Sequence, residues 1–196
     1  MDSSTIYALG LGYLLGSIPF GLLLTQFAGK GDIRDIGSGS IGATNVLRTG
    51  SKGLAALTLL LDGAKGALAV WLAQRYFPGF EAHAAAGALV GHLYPVWLRF
   101  KGGKGVATLL GILIPLLPMA ALVYAVVWIA VFLLIRISSV AGMAAAVSTP
   151  ISAVVLGEQA RFPLLLGFAI LVVWKHQANI RRLLAGTEPR VGRAKA

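Results

Sequence analysis

The first chemically informative segment is a glycine-rich stretch that begins at Gly37 and ends at Arg48. Successive glycines let neighbouring backbone N–H groups turn toward one anion, and hydroxyl and amide side chains add further donors. The candidate donors are Ser38, Gly39, Gly42, Thr44 and Asn45. The Arg48 guanidinium follows them and can bind a phosphate through two parallel hydrogen bonds. This stretch therefore predicts a phosphate site, and a flexible turn is the alternative.

The same stretch contains the spacing G-x-G-x-x-G, from Gly37 to Gly42. That spacing indicates dinucleotide binding only when it follows a β-strand and opens a helix within a βαβ unit. Here it follows a long apolar segment, and nothing in the chain has the pattern of a parallel sheet. A dinucleotide site is therefore excluded.

A second segment, from Arg99 to Thr108, places three glycines around Lys104. A nucleotide-binding P-loop would need glycine at Leu98 and serine or threonine at Gly105, so that site is excluded. Backbone amides and a lysine just before an apolar helix still favour an anion. Gly103 and Lys104 are therefore candidate phosphate-binding residues.

In a third segment, His176 and Asn179 are three residues apart and share one face of a predicted helix. Both side chains can donate hydrogen bonds to a polar ligand. A histidine at a membrane boundary can equally well be solvated, and Arg181 and Arg182 could simply attract anionic lipid. The pattern alone leaves both interpretations open.

Two charged residues, Asp62 and Lys65, lie three apart within an apolar stretch. Charges inside a membrane are costly unless they are paired. We predict an ion pair that locks this helix against its neighbours; the alternative is that Asp62 orients a cation at a substrate. His92 and Pro95 precede the lysine-glycine segment and are expected to position it.

The elements that carry these residues are predicted to be membrane helices. The chain of 196 residues is 57% hydrophobic, only 12% charged and has a mean hydropathy of +0.81, whereas soluble domains are about 25% charged. A span needs ~20 apolar residues. We predict an all-α integral membrane protein with one domain, 1–196, and about seven spans; five spans remain the alternative. The predicted spans are 4–28, 53–73, 83–98, 106–117, 119–135, 138–156 and 163–180.

The distribution of basic residues predicts the orientation. The net charge is +10. With the N-terminus outside and the C-terminus in the cytoplasm, only Arg75 and Arg161 fall on the outside, and the cytoplasmic C-terminal segment includes Arg193 and Lys195. Lysine and arginine concentrate on the cytoplasmic side of membrane proteins. The pairs Gly12-x-x-x-Gly16 and Gly87-x-x-x-Gly91 predict close helix packing.

Several classes of lipid enzyme are excluded by their own motifs. Acyltransferases with an H-x4-D motif need aspartate five residues after a histidine, but Ala88, Trp97 and Arg181 occupy those positions. Asp62-Gly63 matches only the start of the motif of CDP-alcohol phosphotransferases, and the later metal-binding aspartates are missing. There is no cysteine and no acidic cluster, so we predict neither a metal site nor a cofactor.

Taken together, these segments resemble one family, the bacterial glycerol-3-phosphate acyltransferases that use acyl phosphate as donor (the PlsY family). The resemblance rests on Gly37-Ser38-Gly39, Gly42-Ala43-Thr44-Asn45, His92-x-x-Pro95, the run from Phe100 to Thr108, His176-x-x-Asn179-Ile180 and Gly186-x-Glu188. It implies seven helices and transfer of a fatty acyl group to the 1-hydroxyl of glycerol 3-phosphate, giving lysophosphatidic acid and phosphate. This reaction is the first step of phospholipid synthesis.

The resemblance also implies roles for individual residues. Acyl phosphate would be bound by Ser38, Gly39, Gly42, Thr44, Asn45 and Gly103. Glycerol 3-phosphate would be bound by Arg48, Lys104, Ser139, His176 and Asn179. The catalytic residues would be Arg48, Lys104, His176 and Asn179, which we expect to serve one site on the cytoplasmic side of the bacterial inner membrane. The expected partners are the two substrates, membrane lipids and the enzyme that supplies acyl phosphate, but no nucleic acid.

Two positions depart from the family pattern. Ser40 stands where asparagine is usual, and Gly142 stands where serine is usual. Losing a serine removes one donor for glycerol 3-phosphate, and Ser139, one turn earlier, is the residue expected to compensate.

Two other functions fit the same loops. A transporter of phosphorylated anions would use them as a vestibule, although transporters usually contain internal repeats and interrupted helices in both halves. A purely structural membrane subunit would tolerate substitution of the loop glycines and of Lys104. Phosphate release that requires both proposed substrates would distinguish an enzyme from either alternative.

Overall fold

The structure, a computed structural model, describes residues 2–191, and every regular element in that range is helical. Met1 and residues 192–196, with the predicted cytoplasmic charges Arg193 and Lys195, lie outside the described residues. The α-helices are α1 Ser3–Gly16, α2 Phe20–Phe27, α3 Ala43–Val46, α4 Lys52–Tyr76, α5 Glu81–Leu93, α6 Val106–Leu116, α7 Pro118–Ile135, α8 Ser138–Val155, α9 Phe162–Lys175 and α10 Gln177–Leu184. The predicted all-α class is confirmed.

Helices occupy all seven predicted span positions, but they differ in length. Four helical segments of residues 2–191 are long and apolar enough to cross a membrane: Ser3–Phe27, Lys52–Tyr76, Pro118–Ile135 and Ser138–Val155. Gln159–Lys175 and Gln177–Leu184 form a bent pair, at 58°, that would make a fifth. α5 has 13 residues and α6 has 11, which is shorter than the ~20 residues of a full span. The number of seven spans and the orientation stay predictions.

Proline explains where two predicted spans are interrupted. The first span is divided into α1 and α2 at Ser17, Ile18 and Pro19, because proline has no N–H to continue the helical hydrogen bonding. The predicted range 83–98 extends beyond the observed end of α5 at Leu93, since Pro95 follows and only a short 3-10 turn continues the chain.

The helices group into two compact units, the first ending at Leu116 and the second beginning at Leu117. In the first unit, α1 packs along α5 through glycines. A methyl group on Gly12 would overlap the backbone of Ala84, and one on Gly16 would overlap that of Ala88. Gly87 and Gly91 lie equally close to the backbone of α1. The predicted packing role of both glycine pairs is confirmed.

In the second unit, α8 packs against both α7 and α9. Small buried residues of α8, including Ala141, Ala145 and Ala146, allow the close approach. α9 ends at Lys175, and the chain turns at His176 into α10. This bend interrupts the predicted span 163–180 at a residue that the sequence had already indicated as a ligand-binding candidate.

Candidate active site

The glycine-rich loop of the first unit is organised by the side chain of Asn45, which is 2% exposed. Its Nδ2 donates to the backbone carbonyls of Ile33 (2.8 Å), Ser40 (2.9 Å) and Ile36 (3.1 Å). Its Oδ1 accepts from the backbone N–H of Ser38 at 3.1 Å. An amide has only two hydrogens, so Asn45 is fully occupied in shaping the loop.

Arg48 lies beside this scaffold and is largely exposed, with its Nη1 3.3 Å from Asn45 Oδ1. Gly37 makes room for the guanidinium. Its φ of +59° favours glycine, and a methyl group there would overlap the Arg48 and Asn45 side chains. The Thr44 side chain is exposed, and Ser38 is half-buried. One loop therefore presents a guanidinium and two hydroxyl groups.

The lysine-glycine loop is held against the end of α5 by its backbone. Gly103 N–H donates to the His92 carbonyl at 3.0 Å, and Gly102 N–H donates to the Leu93 carbonyl at 3.3 Å. A methyl group on Gly103 would overlap the His92 ring. Glycine at this position is therefore required for packing, and its amide hydrogen is already used. The expectation that His92 positions this loop is confirmed.

Lys104 follows directly and is half-buried, two residues before α6 begins. Gly105 has a φ of +86°, a conformation that other residues adopt only with strain. The loop therefore directs the chain from the end of α5 into α6 with one lysine at the turn.

In the second unit, Glu188 collects three donors that come from separate positions of the chain. Its Oε1 accepts from Asn179 Nδ2 at 2.5 Å and from Ser139 Oγ at 2.6 Å. Its Oε2 pairs with Arg182 Nε at 2.6 Å, and the Glu188 side chain is 6% exposed. Sequence reasoning missed Glu188 as a site residue; the only signal was its place in Gly186-x-Glu188.

The environment of Glu188 favours its charged form. Burial by itself raises the pKa of this carboxyl group, but the hydrogen bonds from Ser139, Asn179 and Arg182 and the charge of Arg182 outweigh that effect. The pKa of Glu188 is therefore lowered from the ordinary value. Because the folded-state pKa is depressed, the stabilisation is present above the unfolded-state pKa of about 4.3 and is lost as the pH falls through the folded-state pKa.

We expect Glu188→Gln to lower the thermal midpoint of the detergent-solubilised protein at pH 7, because it removes a carboxylate that three donors share. The difference from the wild type is expected to shrink as the pH falls below about 4. Glu158→Gln is the matched control: Glu158 pairs with Arg161 at a half-exposed site, where ion pairs contribute little. An equal effect of both substitutions, or a difference independent of pH, would contradict this account of Glu188.

Asn179 is 4% exposed and presents an acceptor. Because a carboxylate only accepts hydrogen bonds, the amide NH₂ must face Glu188, and this fixes the position of Oδ1. Among the described residues, Asn179 Oδ1 is buried and has no hydrogen-bond partner. A buried acceptor of this kind is expected to receive a donor such as a hydroxyl group.

His176 is 2% exposed, and its Nδ1 lies 2.7 Å from the Val172 carbonyl. A carbonyl can only accept, so Nδ1 carries a hydrogen, and in the neutral ring the lone pair lies on Nε2. The backbone of α9 therefore fixes both the orientation and the tautomer of this imidazole.

The predicted site residues thus form local groups within each unit. The first unit groups Ser38, Gly39, Gly42, Thr44, Asn45 and Arg48 in one loop and places Gly103 with Lys104 in another. The second groups Ser139 and Asn179 around Glu188. The Ser139 hydroxyl group donates its hydrogen to the Glu188 carboxylate. Within residues 2–191, no group of three His, Asp or Glu side chains could hold a metal ion.

Comparison with known proteins extends over almost the whole chain. The sequence model of a family described as "Glycerol-3-phosphate acyltransferase" matches residues 6–186. A glycerol-3-phosphate acyltransferase of Erythrobacter litoralis is 58% identical over 182 residues, which cover 93% of this chain and 92% of the relative. One from Mesorhizobium japonicum is 57% identical over 192 residues, which cover 98% of each chain.

A solved structure matches equally completely. The crystal structure of PlsY, an integral membrane glycerol 3-phosphate acyltransferase, in its glycerol 3-phosphate form superposes with a TM-score of 0.91 at 36% identity, covering 97% of this chain and 96% of that one. The present protein is thus an all-helical, multi-pass integral membrane protein. Within that class, the chain belongs to the glycerol-3-phosphate acyltransferase family of phospholipid synthesis, the PlsY family.

Proposed function

We propose that this protein transfers a fatty acyl group from acyl phosphate to the 1-hydroxyl of glycerol 3-phosphate. The hydroxyl oxygen attacks the acyl carbonyl carbon, and the bond between that carbon and the phosphate oxygen breaks. The products are lysophosphatidic acid and inorganic phosphate. An acyl phosphate is a mixed anhydride with a good leaving group, so neither a covalent acyl-enzyme nor a cofactor is needed.

The proposal is carried by the near-complete match to PlsY in its glycerol 3-phosphate form. The buried acceptor of Asn179 further supports it, because glycerol 3-phosphate carries two hydroxyl donors in addition to its phosphate.

For the acyl donor, we propose that the phosphate is bound by the hydroxyls of Ser38 and Thr44 and by the loop around Gly39 and Gly42. Asn45 contributes by holding that loop in shape, since its amide hydrogens are directed at backbone carbonyls. Gly103 contributes in the same indirect way, because its amide donates to His92.

For the acceptor, we propose that Arg48 and Lys104 bind the phosphate of glycerol 3-phosphate and that His176 and Asn179 bind its hydroxyl end. Ser139 supports this group through the carboxylate that it shares with Asn179. These side chains bring two anionic reactants together and stabilise the charge that develops at the carbonyl. We propose that the hydroxyl proton passes to a phosphate oxygen of the acyl donor.

Purified protein mixed with palmitoyl phosphate and glycerol 3-phosphate tests the reaction. Phosphate release that requires both compounds is the expected result. Release without glycerol 3-phosphate would indicate simple hydrolysis, and binding of both compounds without release would favour transport; either result would contradict the proposal.

We further propose that the chain is one domain with seven spans in the bacterial inner membrane, its N-terminus outside and its substrate loops in the cytoplasm. The chain has no cysteine, so single-cysteine variants are clean probes. In spheroplasts, Gln159→Cys is expected to react with a membrane-impermeant maleimide. Lys30→Cys and Lys101→Cys are expected to react only after permeabilisation. Reaction of Lys101→Cys in intact spheroplasts would mean that α5 and α6 do not each cross the membrane.

A further inference from the structure

The first unit contains a buried ion pair for which the proposed reaction has no role. Asp62 and Lys65 lie in α4, where the Lys65 Nζ is 2.7 Å from Asp62 Oδ1, and their side chains are 3% and 2% exposed. A buried ion pair is weak evidence for a role in stability, because apolar residues of similar volume often stabilise a protein core as well or better. The other contacts of Asp62 and Lys65 indicate the role of the ion pair.

Lys65 contacts the break in the first span. Its Nζ donates to the Ile18 carbonyl at 2.7 Å and lies 5.7 Å from the centre of the Phe20 ring. Ile18 lies in the segment that separates α1 from α2. The lysine therefore links the middle of α4 to this irregular segment.

Asp62 faces the residue that supports the lysine-glycine loop. Asp62 Oδ1 lies 3.7 Å from His92 Nδ1. The His92 carbonyl accepts the Gly103 N–H, and the His92 ring packs against Gly103 so closely that no side chain fits there. Asp62 therefore lies beside the His92 ring, and His92 in turn contacts the residue before Lys104.

The same part of α4 also lies against the helix that follows Lys104. A methyl group on Gly66 would overlap the Thr108 carbonyl, and one on Gly111 of α6 would overlap the Gly63 backbone. The Lys104 loop is therefore flanked on its N-terminal side by His92 and on its C-terminal side by a helix that packs on α4.

We propose that Asp62 and Lys65 are positioning residues for Lys104: Asp62 fixes the loop that carries it through His92, and Lys65 neutralises Asp62 and joins it to the break in the first span. This inference rests on the proposed function, because it takes Lys104 as a ligand of glycerol 3-phosphate. The ion pair itself does not touch substrate. The ion pair determines the position from which Lys104 binds the phosphate of glycerol 3-phosphate.

A double-mutant cycle tests the proposal. Asp62→Asn/Lys65→Met removes both charges together, so that no unpaired charge stays buried. The Kd for radiolabelled glycerol 3-phosphate is measured by equilibrium dialysis on monodisperse protein, alone and in a Lys104→Met background. We expect the Kd to rise at least fivefold in the wild-type background and less than twofold in the Lys104→Met background, because coupled residues are not additive.

Two further variants keep the test decisive. Asp62→Glu retains both charges but moves the carboxylate by one methylene. It is expected to raise the Kd two- to fivefold, with the same dependence on Lys104. This variant tests the positioning role if the double variant does not fold. Gln74→Leu is the control, since it removes another hydrogen bond from α4, to the Pro115 carbonyl at 2.9 Å, and is expected to leave the Kd unchanged.

A purely structural role would reduce the yield or thermal midpoint of the variants without changing the Kd of the folded protein, or would change it equally in both backgrounds. Either result would overturn the proposal. Equilibrium dialysis needs no acyl donor. If the wild type binds glycerol 3-phosphate but does not use acyl phosphate, the proposed reaction is contradicted. The double-mutant cycle would still decide the present inference in that case.

Discussion

Replacing Lys104 with methionine is expected to raise the KM for glycerol 3-phosphate by about 10- to 100-fold. The ammonium group would lose a charge-assisted hydrogen bond to phosphate, which contributes about 1.5–3 kcal/mol, and each 1.4 kcal/mol corresponds to a tenfold change. Methionine keeps most of the length of the side chain, so the packing of the half-buried stem is preserved. Initial rates at varied glycerol 3-phosphate and saturating acyl phosphate measure the effect.

Lys101→Met is the matched control for this substitution. Lys101 lies in the same loop three residues earlier, is exposed, and is assigned no substrate contact. We expect its KM to stay within about twofold of the wild type, as is usual for surface charges. Equal effects of the two substitutions would show that the loop acts through its overall charge and would contradict the specific role of Lys104.

Replacing His176 with alanine is expected to raise the KM for glycerol 3-phosphate about tenfold while measurable turnover remains at saturation. The Val172 carbonyl holds the ring in one orientation, and alanine would remove the group that we assign to the hydroxyl end of glycerol 3-phosphate. Turnover persists in this account because the donor phosphate receives the proton. Removal of a general base typically lowers the rate by about 100- to 10,000-fold, a clearly different result.

Complete loss of turnover with unchanged glycerol 3-phosphate binding would therefore identify His176 as the base and contradict proton transfer to the donor. His83→Ala provides the control, because His83 lies at the start of α5 and is not assigned to the reaction. It is expected to behave as the wild type in both binding and turnover.

The helical architecture could be predicted from sequence because its determinants are local. Runs of apolar residues identify the helices, and the spacing of Gly12 and Gly16 is enough to predict a close helix contact, which the structure places against Ala84 and Ala88. The interruption of the first span was missed, although Pro19 was its signal. A proline inside a membrane span is often tolerated, so sequence alone does not decide whether the helix breaks there.

The supporting contacts of the site could not be predicted, because they join residues that no regular helical spacing relates. Glu188 accepts from Ser139, 49 positions away, and from Asn179, nine positions away. Asn45 was expected to contact the acyl donor's phosphate, whereas its amide hydrogens are directed at the carbonyls of Ile33, Ile36 and Ser40. The sequence identifies the polar residues of the site but not their hydrogen-bond partners.

The central claim, acyl transfer from acyl phosphate, is tested most directly by following both products in one reaction. Radiolabelled glycerol 3-phosphate and palmitoyl phosphate are incubated with the purified protein, and labelled lysophosphatidic acid and inorganic phosphate are quantified. We expect equimolar formation of the two products and none when palmitoyl-CoA replaces palmitoyl phosphate. Lysophosphatidic acid formed from palmitoyl-CoA, or phosphate released without labelled lipid, would contradict the account.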